Sequence, residues 1–67
     1  MRSEKDLIGE ALGDLQKGET IERALGRIVR RHGGTYEAYV HVIGIVREAA
    51  RREKLTPLEA ARRLAQA

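Results

Sequence analysis

The sequence predicts an all-α fold: a small four-helix bundle with a long central third helix, completed by homodimerisation. Three observations carry this expectation. Apolar residues recur at helical spacing in each of several segments. Each segment is preceded by a hydroxyl residue, Ser3, Thr20, Thr35 or Thr56, suited to capping the free amides of a helix start. The intervening stretches are short, so consecutive helices are expected to pack as antiparallel neighbours. The expected helices span about residues 4–17, 21–32, 36–54 and 57–66 of a single domain.

The first helix opens at Ser3, with Glu4 and Asp6 near its positive end. Leu7, Ile8, Ala11, Leu12 and Leu15 share one face, and Gly18 is the expected stop. The opposite side carries Asp6, Glu10 and Asp14, like charges one turn apart that call for basic neighbours. In the second helix Ile21, Ala24, Leu25, Ile28 and Val29 form the buried face, while Arg23, Arg27, Arg30 and Arg31 gather on the outside. Gly33 and Gly34 end it.

The third helix is the unusual one. Its apolar positions, from Tyr36 to Ala50, fill an arc of about 220° on a helical wheel, against the roughly 100° stripe of an ordinary surface helix. This predicts burial on two sides and places both tyrosines, Tyr36 and Tyr39, inside. A strand over residues 39–46 is the competing reading, because β-branched residues are dense there. The adjacent pairs Val42–Ile43 and Ile45–Val46 break a period of two and favour the helix. The last helix has the strongest local signal: Thr56 as cap, Pro57 at the first position and Glu59 at the third.

A core without Phe, Trp or cysteine, in a chain of 67 residues, has little large apolar surface and no covalent staple. Self-association is the expected remedy, most simply a twofold dimer, with Tyr39, Val42, Ile45 and Val46 as interface candidates. Gly9 and Gly13, one turn apart, join them as sites where a second backbone comes close. The charged start and the lack of any run of about 18 apolar residues predict a cytoplasmic protein with no membrane segment.

Charge narrows the function classes. The net charge of +3 is divided unevenly, −3 over residues 1–22 and +6 over 23–67. A basic second part suits an anionic partner, and Arg23, Arg27, Arg30 and Arg31 are the candidate contacts to a phosphate backbone. With the tyrosines expected inside, no aromatic is left for base stacking, so the expected nucleic acid is double-stranded DNA or RNA rather than a single strand. The alternative is a protein-interaction module that meets itself or a larger protein partner, its arginines solvated or paired with Asp6, Glu10 and Asp14.

No catalytic chemistry is expected. There is no cysteine nucleophile and no phosphate-binding glycine loop, and the hydroxyl residues are accounted for as caps. Glu37 and His41, one turn apart, with Glu48 further along, form the one pattern that metal could use across a dimer axis, but a solvated pair is the expectation, with neither metal nor cofactor. Residues 7–31 have a helix, turn and helix spacing like that of the DNA-binding motif, with a tight turn expected at Gly18 and Glu19. Leu55 to Ala65, Leu-Thr-Pro-Leu-Glu-Ala-Ala-Arg-Arg-Leu-Ala, resembles the first helix of winged or excisionase-type helix-turn-helix domains, over those residues alone.

Overall fold

The computed structural model describes residues 3–67 and contains four helices: α1 (Glu4–Gly13), α2 (Ile21–Arg31), α3 (Tyr36–Glu53) and α4 (Pro57–Gln66). All four predicted caps are in place. Ser3, Thr20, Thr35 and Thr56 each accept a hydrogen bond from the backbone amide three residues on, at 3.1–3.2 Å. At α4 the box is reciprocal, since the Glu59 carboxylate accepts the Thr56 amide at 2.9 Å.

α1 packs against both α2 and α4, and α3 packs against α4 and, more lightly, α2. α2 and α4 touch only slightly across the bundle, so each helix has its main contacts with the two beside it, and α3 has the fewest of these. The core gathers Ile8, Leu25, Ile28 and Val46 as its largest fully buried side chains. Alanines complete it. Ala11, Ala24, Ala60 and Ala61 have no exposed surface, and such small side chains at helix contacts let the axes approach closely. Lys5 donates to the Ala67 carbonyl, which ties the start of α1 to the end of α4 as an antiparallel pair.

The predicted two-sided burial of α3 is corrected. Its fully buried residues, Val42, Ile43, Val46, Ala49 and Ala50, occupy a single stripe of about 120°, as on an ordinary amphipathic helix. Tyr36 is 77% exposed and Val40 46%, while Tyr39 and Ile45 are half-buried. A helical wheel tells which residues share a face; it does not tell which faces find a neighbour.

α1 also ends earlier than the predicted residue 17, at Gly13 with Asp14 as cap. A connection of residues 14–20 follows, with Gly18 at φ +78° inside it rather than at the helix end. That is longer than a helix-turn-helix corner, so the spacing resemblance over residues 7–31 does not extend to the turn. The α2–α3 corner is tight by contrast. Gly33, at φ +75°, donates to the Arg30 carbonyl at 3.0 Å and Gly34 to that of Val29 at 2.8 Å, the paired bonds of a Schellman motif. Among the described residues no helix is long and apolar enough to cross a membrane.

Candidate nucleic-acid interface

The four arginines of α2 divide into two pairs with different work. Arg27 is the anchor of the α1–α2 connection: its Nε donates to Asp14 Oδ2 at 2.9 Å and its Nη2 to the Asp14 carbonyl at 2.9 Å. The same guanidinium engages both carboxylate oxygens of Glu19, one of them by Nη2 at 2.9 Å. Such a fork satisfies the planar donors of arginine in a way lysine cannot. The Glu19 side chain is only 10% exposed. Hydrogen bonds from Arg27, followed by the Gln16 amide, hold its carboxyl down from the ordinary 4.5 to about 2. The Asp14 carboxyl is also lowered, chiefly by its bond from Arg27, and the guanidinium is in turn pushed upward.

Arg31 faces the same acidic side, 3.3 Å from Glu10 Oε2 and 3.3 Å from Asp14 Oδ2. His32 Nε2 meets Glu10 Oε1 at 2.8 Å. The stripe of Glu10 and Asp14 thus has the basic neighbours that its charge required. Arg27 and Arg31 are occupied with it, so for these two of the four arginines the pairing with Glu10 and Asp14 that the sequence left open is the one formed.

Arg23 and Arg30 differ from these two, although Arg27 also borders the groove they line. Neither has an ion-pair partner among the described residues, and both line a groove of about 510 Å³ between α2 and the start of α3. Tyr36 and Tyr39 line it from α3, with ring centroids 6.0 Å apart and planes tilted by 38°. Gly26 lies between the arginines, and a Cβ there would sit 3.7 Å from Tyr39 Cε1, so the ring rests against the helix backbone. Glu22 is at the far end, its charge opposed by Arg47 at 3.9 Å. Tyr36 is the candidate that sequence reasoning missed, and Tyr39 was named there only for an oligomer interface, since both were counted inside. The signal was present in their position at the start of α3, next to the glycine corner, where the helix has not yet met its neighbours.

A second groove, of about 680 Å³, opens on the other side of the same corner. Its rim carries Glu4, Asp6, His32 and His41, and its floor includes Leu7 and Val42. His41 Nε2 meets Glu4 Oε2 at 3.1 Å rather than Glu37, and Glu48 pairs with Arg51. The Glu4 carboxyl is lowered first by its own backbone amide and then by its bond with His41. Among the described residues no cluster of three or more His, Asp or Glu side chains could hold a metal ion. The two grooves therefore differ in sign: the acidic one repels anions and the arginine-lined one attracts them.

Of the interface candidates, Val42 and Val46 are 3% and 0% exposed within the single chain, so the bundle's own core already covers them. Tyr39 and Ile45 keep partial exposure. Gly9 and Gly13 have open space where a Cβ would stand. The remaining basic residues, Arg51, Arg52, Lys54, Arg62 and Arg63, collect near the α3–α4 corner, where Glu53 takes Arg63 at 2.7 Å and Arg52 at 3.8 Å.

The fold and site define a class, a four-helix module with a basic, aromatic-lined groove. Compared with protein-family models, curated proteins and solved structures, the chain matches none.

Proposed function

We propose that the protein is a small non-enzymatic regulatory or architectural module that binds nucleic acid, with Arg23 and Arg30 making its phosphate contacts. The observation that carries this reading is the division of the α2 arginines. Arg27 and Arg31 are bonded to Asp14, Glu19 and Glu10, whereas Arg23, which only acts on Glu19 from a distance, and Arg30 form no ion pair among the described residues and line one groove. Separated by seven residues, they lie about 10 Å apart along the helix, and can engage separate phosphates of one backbone.

The test is oligonucleotide binding by fluorescence anisotropy at two salt concentrations, comparing the parent with an Arg23→Glu/Arg30→Glu variant. Loss of binding with unchanged circular dichroism supports the reading. Binding that survives the double change, or that falls equally on Arg62→Gln at the other corner, counts against it.

A second reading is favoured by the exposure of Tyr36 and Val40 on α3. A second copy of the chain, or a larger protein partner, covering that side would bury apolar surface that the single bundle leaves wet. Twofold dimerisation through Tyr36, Tyr39 and Val40 then replaces nucleic acid as the role of the groove, and sedimentation of the parent against Val40→Asp separates the two.

A further inference from the structure

We infer that the α2–α3 groove is a single-strand site: it takes one unpaired nucleotide segment, with a base on Tyr36 and flanking phosphates on Arg23 and Arg30. The inference rests on the nucleic-acid reading above and narrows its ligand.

Shape is the first argument. A duplex shows its base edges only inside its grooves, and the proteins that read them insert a protruding helix or ribbon. Here the free arginines of α2 border a cleft whose other wall is α3, so they do not stand on a projecting ridge. A concave surface between two helices admits a strand.

Chemistry is the second. Tyr36, at 77% exposure, presents an aromatic face to solvent although it sits in an otherwise amphipathic helix. Half-buried Tyr39 lies beside it, ring centroids 6.0 Å apart and planes tilted by 38°. An exposed aromatic on one wall facing arginines on the other is an arrangement that suits unstacked bases, because every base has a π-face and every linker a phosphate. Arginine also favours aromatic faces, which strengthens a layered arrangement of base, ring and guanidinium.

Space is the third. Gly26 brings no side chain of its own into the groove, and the Tyr39 ring lies against it, 3.7 Å from where a Cβ would stand. The carboxylate of Glu22 lies at the end of the groove, within 3.9 Å of Arg47, so the centre is left positive.

The experiment compares an oligothymidylate of about 12 nucleotides with a duplex of the same length, both fluorescently labelled, for the parent, Tyr36→Ala and Tyr36→Phe. The expected result is tighter binding of the single strand by the parent, weakened about tenfold by Tyr36→Ala and retained by Tyr36→Phe, with duplex binding little changed. Tyr36 is largely exposed, so the alanine variant keeps the fold, which circular dichroism verifies. Tighter duplex binding, or a Tyr36→Ala effect that is absent or equal on both forms, overturns the single-strand inference while leaving nucleic-acid binding standing. Failure of the parent to bind either form overturns both.

Discussion

On the proposed nucleic-acid reading, the number of arginines that touch phosphate is read from salt dependence. Each phosphate neutralised on a single strand changes the slope of log affinity against log salt by about −0.7. Arg27 and Arg31 are held by carboxylates, and Arg47 lies close enough to Glu22 for its charge to be offset. That leaves Arg23 and Arg30, and a slope of about −1.4, so raising salt from about 50 to about 200 mM weakens binding about sevenfold. Were all four arginines of α2 in contact, the slope would be about −2.8 and the same step would cost about 50-fold. Anisotropy titrations at several salt concentrations separate these values without difficulty. The Arg23→Gln/Arg30→Gln variant should bring the slope close to zero. A parent slope near −2.8 would refute the division of labour within α2, because Arg27 and Arg31 would then have to leave Asp14, Glu19 and Glu10 on binding.

The remaining predictions concern the scaffold. Glu19 and Asp14 have folded-state pKa values below their ordinary ones, so their contribution is fully present above the ordinary carboxylate values of 4.5 and 3.8 and is lost as pH falls toward about 2. Urea midpoints should therefore drop across that window in the parent; Glu19→Gln should be less stable at neutral pH and show a flatter acid limb, and parallel limbs would contradict the assignment. Lys54 adopts φ +58°, a left-handed conformation that costs a residue with a Cβ about 1–2 kcal/mol. Lys54→Gly recovers this less the entropy of glycine, a net gain of about 1 kcal/mol, or a Tm about 4–8 °C higher, whereas Lys54→Ala should gain nothing. Gly34→Ala should destabilise by about 1–3 kcal/mol, because its Cβ would fall 2.6 Å from Val29 Cγ1 and 3.1 Å from the Val29 carbonyl; an unchanged urea midpoint would show that the corner relaxes freely.

Much of the fold was legible in local chemistry. Each hydroxyl cap performs as its position predicted, and the Thr56–Pro57–Glu59 signature forms the reciprocal box. The acidic side of α1 did find basic neighbours, in Arg27, Arg31 and His32. What was not legible depends on contacts across the chain. α1 stops at Gly13 because Asp14 and Glu19 turn to meet Arg27, a residue on the next helix that no local window contains. The third helix was expected in the middle from its apolar count, yet neighbours, not composition, decide burial, and Tyr36 and Val40 face solvent. At the candidate site the sequence left open which arginines would be paired, and the two tyrosines it placed on the buried arc line the groove. Lys54 in the left-handed region was invisible as well, since lysine there carries no compositional mark.

The Schellman corner at Gly33 and Gly34 has a kinetic consequence for whatever enters the groove. Both walls descend from that one turn, which two backbone hydrogen bonds close and where Gly34 leaves no room for a side chain against Val29. The cleft is thus already shaped before a ligand arrives, and no segment has to order itself around the guest. Association should then proceed in one step at a rate set by encounter and charge steering, without the lag of a slow isomerisation. Differences in affinity among ligands would be expressed almost wholly in how long each one stays.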